Sequence, residues 1–234
     1  PPARLPEPPL RDPSPAPVSR GRTRIPGARV SPLRCRAVAL SISRGGVSMA
    51  FVTVWGGGAT RLRLRERGDL QARPLDGALD VDGPFFSPDG NWVGYFSKGT
   101  LYKAAFSGGT PIQMAQGANT ALAGGAWLDD GRIVFIAPDF KMMAMPAAGG
   151  TPSVAQISER DGLMIFPSVL PRRDVLLVTL CTNNCAQQSL ATVNLKTHAV
   201  DTVLAKASRG FYLPSGILVV VQSDGTVVGA PFDL

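Results

Sequence analysis

The sequence predicts an all-β chain, a β-propeller of about five four-stranded blades preceded by a disordered Pro/Arg-rich tail. Three observations predict it. A turn phrase followed by a short apolar strand recurs at a nearly constant interval; a Gly-Gly-Thr-Pro phrase recurs in the same register; and no apolar pattern of 3.6-residue period is long enough for a helix.

The clearest copy of the turn phrase is Ser87-Pro88-Asp89-Gly90, leading into Asn91-Trp92-Val93-Gly94-Tyr95-Phe96. Leu128-Asp129-Asp130-Gly131 leads into Arg132-Ile133-Val134-Phe135-Ile136, and Leu213-Pro214-Ser215-Gly216 into Ile217-Leu218-Val219-Val220-Val221. Ser43-Arg44-Gly45-Gly46 and Leu170-Pro171-Arg172-Arg173 are weaker copies, without the Pro-Asp-Gly turn. Their fourth positions fall at 46, 90, 131, 173 and 216, spaced by 44, 41, 42 and 43 residues. Gly108-Gly109-Thr110-Pro111 recurs as Gly149-Gly150-Thr151-Pro152, 41 residues on. Met145-Pro146-Ala147 and Ala230-Pro231-Phe232 occupy matching places, with Ala105 standing where the prolines are.

Within each unit, runs of four to seven residues are punctuated by Gly, Pro, Asn and Asp, which reads as a β-meander. Gly accepts positive φ and Asp bonds to nearby backbone, so Asp-Gly pairs reverse a strand tightly. One meander cannot bury enough apolar surface alone. Stacking such sheets radially hides their faces, and about 40 to 45 residues per unit is the propeller solution. Trp92, Trp127, Phe86, Phe96 and Phe135 are then expected to pack between blades.

Residues 1–36 read differently from the body. Of the chain's 21 prolines, ten lie there, and its 24 basic and 17 acidic residues divide into eight and two in the tail against 16 and 15 in residues 37–234. Of the net charge of +7, the tail therefore carries +6 and the body +1. Such a segment is expected to be solvated coil or polyproline II, a disordered tail or linker. Arg20, Arg22, Arg24 and Arg29 could tether phosphate or acidic lipid, but no interleaved aromatics are available to stack on bases, so no nucleic-acid partner is expected. No apolar run approaches the roughly 18 to 20 residues of a membrane-crossing helix, and no secretory signal is visible. Lacking an initiator Met, the chain is read as a fragment.

Catalytic chemistry is poorly supplied. The single histidine, His198, leaves metal clusters and acyl-transfer triads without a second ligand or paired base, and is expected in an exposed turn. No Gly-x-Ser-x-Gly elbow occurs, and Gly56-Gly57-Gly58 lacks the Lys-Ser/Thr of a phosphate loop. Asp80-Val81-Asp82-Gly83 resembles the opening of a calcium loop, yet no Glu follows at the required spacing; an inter-blade turn is expected. Asp129-Asp130-Gly131 and Asp224-Gly225 are expected as hairpin turns. Cys181 and Cys185 flank Thr182-Asn183-Asn184 at a hairpin tip, and a disulfide and free thiols stand equally open, with Cys35 unpaired in either case. No catalytic, cofactor or metal residue is assigned.

Phe85-Phe86-Ser87-Pro88-Asp89-Gly90-Asn91-Trp92-Val93-Gly94 resembles the WD40-like, TolB-like (PD40) propeller repeats. With the Gly-Gly-Thr-Pro phrases and the terminal Ala230-Pro231-Phe232-Asp233-Leu234, residues 37–234 look most like the propeller region C-terminal to the kinase domain of bacterial serine/threonine protein kinases. The resemblance implies a noncatalytic sensing or protein-interaction module, extracytoplasmic, in a membrane-anchored parent, binding a protein or small-molecule ligand through its loops. A TolB-like envelope propeller without a kinase, and the propeller of a prolyl-oligopeptidase-like hydrolase, are the alternatives. Kinase parts are not in this chain: His198 precedes Ala199 rather than Arg-Asp, and Asp139-Phe140 is followed by Lys141. The resemblance also implies six or more blades, whereas the last unit here stops near its third strand; an incomplete ring with an open edge is expected.

Overall fold

The Ser-Pro-Asp-Gly phrase works as one mechanical unit. Ser87 N–H donates to Trp92 O at 2.9 Å, and Ser87 Oγ accepts from Trp92 N–H at 2.9 Å while donating to Asp89 Oδ1 at 2.5 Å. Asp89 Oδ1 also accepts from Asn91 N–H at 3.0 Å. Gly90, at φ +75°, closes the turn by donating to Ser87 O at 2.9 Å, in a conformation that strains an L side chain. The same closure recurs from Gly46 to Ser43 (2.8 Å), Gly131 to Leu128 (3.0 Å) and Gly216 to Leu213 (3.0 Å). In the fourth phrase, which lacks a glycine, the left-handed residue is Asp174 (φ +59°), and Val175 N–H donates to Arg172 O at 3.2 Å.

The computed structural model describes residues 39–233, except 55–57, 119–123, 157–161, 173 and 184. The tail expected at 1–36, Cys35, Gly56, Gly57 and Arg173 lie outside the described residues. Among the described residues every element is a strand. Blade 1 comprises β1 (Leu40–Ile42), β2 (Ser48–Val54), β3 (Thr60–Glu66) and β4 (Arg73–Leu79); blade 2, β5 (Val81–Phe86), β6 (Trp92–Ser97), β7 (Thr100–Ala105) and β8 (Ile112–Gln116). Blade 3 comprises β9 (Gly125–Trp127), β10 (Arg132–Ile136), β11 (Met142–Pro146) and β12 (Ser153–Gln156); blade 4, β13 (Leu163–Val169), β14 (Val175–Thr182), β15 (Gln187–Asn194) and β16 (Val200–Ala205). Blade 5 comprises β17 (Ala207–Leu213), β18 (Ile217–Gln222) and β19 (Val227–Pro231).

Each sheet is an antiparallel meander in sequence order, so the chain is an all-β propeller of five blades. Four blades have four strands and the fifth has three among the described residues, in line with a last unit that stops near its third strand. All five turn phrases join the first strand of a blade to its second, and both Gly-Gly-Thr-Pro phrases join the third to the fourth. The Pro146, Pro231 and Ala105 positions coincide as third-strand ends, paired with Arg132, Ile217 and Trp92.

Among the described residues, four apolar clusters join blade 1 to 2, 2 to 3, 3 to 4 and 4 to 5, and none joins blade 5 to blade 1. The strand burial patterns carry the same information. In the middle blades, β6, β10 and β14 are buried almost continuously, because each face meets a neighbouring sheet. In β2, β3 and β18 burial alternates residue by residue, so blades 1 and 5 each have one covered face. Leu40 and Ile42, and likewise Phe211, Leu213 and Val227, are correspondingly exposed.

The aromatic residues pack between blades as expected: Phe96 and Phe135 are fully buried, Trp127 is buried, and Phe86 packs on the blade 1–2 cluster. Trp92 is only partly buried, with Lys103 Nζ 5.1 Å above its ring. One expectation needs correcting. Of Asp80-Val81-Asp82-Gly83, only Asp80 (φ +52°) is the inter-blade connection, and the other three already belong to β5. The fully buried Val81 side chain draws strand pairing right up to the junction.

Candidate functional site

The first strands of successive blades contact one another, β1 on β5, β5 on β9, β9 on β13 and β13 on β17, and so wall the propeller axis. Three of their ladders to the second strands are interrupted. In β5 the register shifts between Asp82 and Phe85, in β13 between Ile165 and Ser168, and in β17 between Ala207 and Arg209. A bulge of this kind re-aims side chains and ends local pairing. In the first two cases a proline, Pro84 or Pro167, has no N–H to give the ladder.

Counting seven residues back from each repeat marker places Ala39, Gly83, Gly124, Phe166 and Arg209 in equivalent positions. Gly83 adopts φ +52°, and Phe166 adopts φ +53° with a full side chain, which costs roughly 1–2 kcal/mol for an L residue. Gly124 lies against it: a Cβ there would stand 2.9 Å from Phe166 Cα and 3.3 Å from Pro167 Cδ. The Arg209 guanidinium carbon sits 3.5 Å from the centroid of the Phe166 ring, stacked on its face. Burial lowers the Arg209 pKa, and no described carboxylate forms an ion pair with it. One position before Gly83, the half-buried Asp82 has its carboxyl raised by desolvation.

The end of the axis bearing the first hairpins is charged. Arg44, in the blade 1 hairpin, donates to Asp129 of the blade 3 hairpin at 2.5 Å. Arg132 bridges Asp130, at 2.6 Å, and Asp174 of blade 4. Its guanidinium is held above its ordinary pKa first by the Asp130 hydrogen bond and then, against desolvation, by Asp174. Between the blade 3 and blade 4 hairpins lies an open cleft of about 330 Å3 whose walls include Asp129, Leu170, Pro171 and Arg172.

Residues considered at the sequence level are dispersed. His198 is exposed in the β15–β16 turn (φ +60°), and its Nδ1 donates to Gln156 Oε1 of blade 3 at 2.6 Å, a structural tie. Asp129-Asp130-Gly131 and Asp224-Gly225 are hairpin turns as expected. Asp139-Phe140-Lys141 lies in the β10–β11 hairpin, with Lys141 Nζ 2.8 Å from Asp139 Oδ2. Cys181 and Cys185 are free thiols; Cys181 is buried and its pKa is pushed up to about 12, by desolvation first and then by its contact with the Cys185 thiol. Among the described residues no three of His, Cys, Asp and Glu are grouped to hold a metal ion. Phe166 and Arg209 were missed, although aligning the strand before each turn phrase sets both against glycine or alanine in blades 1 to 3.

No protein-family model and no curated protein matches the chain. Solved structures do. The protein assigned as TolB in Agrobacterium tumefaciens matches at 18% identity over 81% of this chain and 72% of its own, with a TM-score of 0.62. TolB from Acinetobacter baumannii matches at 12% identity over 86% of this chain and 55% of its own, with a TM-score of 0.63. A prolyl endopeptidase matches at 14% identity over 82% of this chain and 32% of its own, with a TM-score of 0.52. Across proteins of such different names the shared property is architecture, and this chain is a β-propeller of that architecture.

Proposed function

We propose that this chain is a noncatalytic interaction propeller that recognises a protein or peptide ligand at its axis. The observation that carries this reading is the likeness in fold to two TolB proteins over more than four fifths of the chain. The axis supports it, because blade cores are filled by packing while the first strands and their hairpins present Arg209, Phe166 and the charged pairs. An extracytoplasmic location and attachment to a bacterial serine/threonine kinase rest on the repeat phrases of residues 37–234. A hydrolase-gating role is the second reading, favoured by the prolyl endopeptidase neighbour.

Site-specific photocrosslinkers at Gly45, Pro171 and Ser208, compared with controls at the exposed Asp76 and Asp201 on the outer strands, test the recognition face. Crosslinks to one partner from the axial positions alone support it; crosslinks from the outer strands alone overturn it. Sequencing the complete reading frame separates the parents: a Gly-rich loop and His-Arg-Asp motif in frame upstream mark the kinase, and a nucleophile elbow the hydrolase.

A further inference from the structure

Three features of the Arg209–Phe166 pair go beyond what packing requires. First, Phe166 occupies a left-handed position that blade 2 fills with Gly83 at the same φ, so the backbone strain is placed where a glycine would remove it. Second, the ring it presents is covered by a guanidinium on its face, at 3.5 Å. Stacking of this kind leaves the in-plane N–H groups of an arginine pointing away from the ring. Third, Arg209 is half-buried with no described carboxylate paired to it, and burial lowers its pKa with no compensating anion. The equivalent positions in blades 1 to 3 offer only Ala39, Gly83 and Gly124, so no side chain larger than a methyl projects from them at this level of the axis.

We propose that Arg209, stacked on Phe166, is a carboxylate-recognition site that takes the chain-terminal or side-chain carboxylate of a peptide ligand. The inference rests on the reading of the axis as the recognition surface and names the chemistry recognised there. A planar guanidinium with two parallel N–H groups matches the two oxygens of a carboxylate. A phosphate dianion would call for a second cation or a nest of backbone amides, and the equivalent positions of the other four blades supply no cation. The Phe166 ring lies against the guanidinium, and Gly124 packs on Phe166 and Pro167, so the side of the site at blades 3 and 4 is apolar, where a charge-assisted bond is worth more than in open water.

The Nε–Hε resonance of Arg209, assigned by its loss in Arg209→Gln, reports occupancy during NMR titration of the purified chain. Four probes divide the sources: acetyl-triglycine with a free carboxylate, acetyl-triglycine amide, acetyl-Gly-Asp-Gly amide, and inorganic phosphate. Saturable shifts with either carboxylate probe, absent with the amide, are expected, and which probe binds tells terminal from side-chain recognition. Arg209→Lys, followed through the backbone amide resonance of the adjacent Gly210, is expected to weaken binding at least roughly tenfold, since an ammonium cannot pair bidentately. Phe166→Gly, which relieves the left-handed strain and keeps the fold, is expected to weaken it comparably. Equal shifts with the amide probe, tighter binding of phosphate than of either carboxylate, or full affinity in both variants would overturn the proposal. If the carboxylate probes bind while partner crosslinks map to the outer strands, the functional reading fails and the site stands; the reverse outcome removes the site alone.

Discussion

The Phe85 ring is held between two glycines, and this makes a sharp test of how the blades are spaced. Phe85 stands directly across the ladder from Gly94 of β6, and its ring reaches Gly125 at the start of blade 3. A Cβ added at Gly125 would lie 2.2 Å from the ring Cε1, and one at Gly94 would lie 2.2 Å from Cζ. Neither glycine has positive φ, so alanine is acceptable to the backbone and the whole cost is steric. Ordinary contact requires the ring or strand to move by about 1 Å. The ring has little room, being 6% exposed with the Phe96 ring centred 5.9 Å away. Overpacking of a rigid core costs about 1–3 kcal/mol, and a contact closed on both sides belongs at the upper end. For a chain of this size, about 2–3 kcal/mol lowers Tm by roughly 4–12 °C. Gly125→Ala is therefore expected to show such a drop in thermal melts, with a matching fall in urea midpoint. In a Phe85→Leu background, where the ring is gone, the same substitution is expected to cost less than about 1 kcal/mol, so the two changes couple. A Gly125→Ala protein within about 0.5 kcal/mol of wild type, or an equal cost in both backgrounds, refutes the argument that glycine is there to admit the ring.

Asp89 is held below the usual carboxylate range, first by the Ser87 hydroxyl and then by the Asn91 amide. A depressed folded pKa contributes stability above the unfolded value near 3.9 that is lost as pH falls through the folded pKa. The Tm gap between wild type and Asp89→Ala should thus be constant above about pH 5 and close in strong acid, and as the group is exposed it should stay below about 1 kcal/mol. Burial pushes the Cys181 thiol up to about 12, so at pH 8 it stays protonated and unreactive. Iodoacetamide at that pH should label Cys185 in the folded chain and Cys181 only on unfolding; equal labelling of both would contradict the burial of Cys181. Arg132→Ala leaves Asp130 and Asp174 partly buried beside one another, at an expected cost of about 1–2 kcal/mol at pH 7 after solvent screening. That cost should shrink in 1 M salt, which screens the two like charges, and a salt-independent penalty would assign it to lost packing.

The repeat, the meander and the hairpin turns were legible in the sequence because they are made by contacts between residues two to five apart. Ser87, Asp89, Gly90 and Trp92 bond among themselves, so the phrase carries its own structure wherever it occurs. The same locality explains why Gly131 and Gly216 fold alike and why Asp174 could substitute one residue later when the glycine was absent. The turn boundaries around Asp80 were less legible, since burial of Val81 against blade 1 decides where pairing begins. Only the tertiary structure decided which faces are covered, which glycines make way for the Phe85 ring, that Arg44 reaches Asp129 across 85 residues of chain, and that Arg209 lies on Phe166. Apart from Phe85 on Gly94 within blade 2, those contacts join residues in different blades, about 40 or more positions apart. They depend on the angle at which finished sheets pack around the axis, and no short stretch of sequence contains that angle.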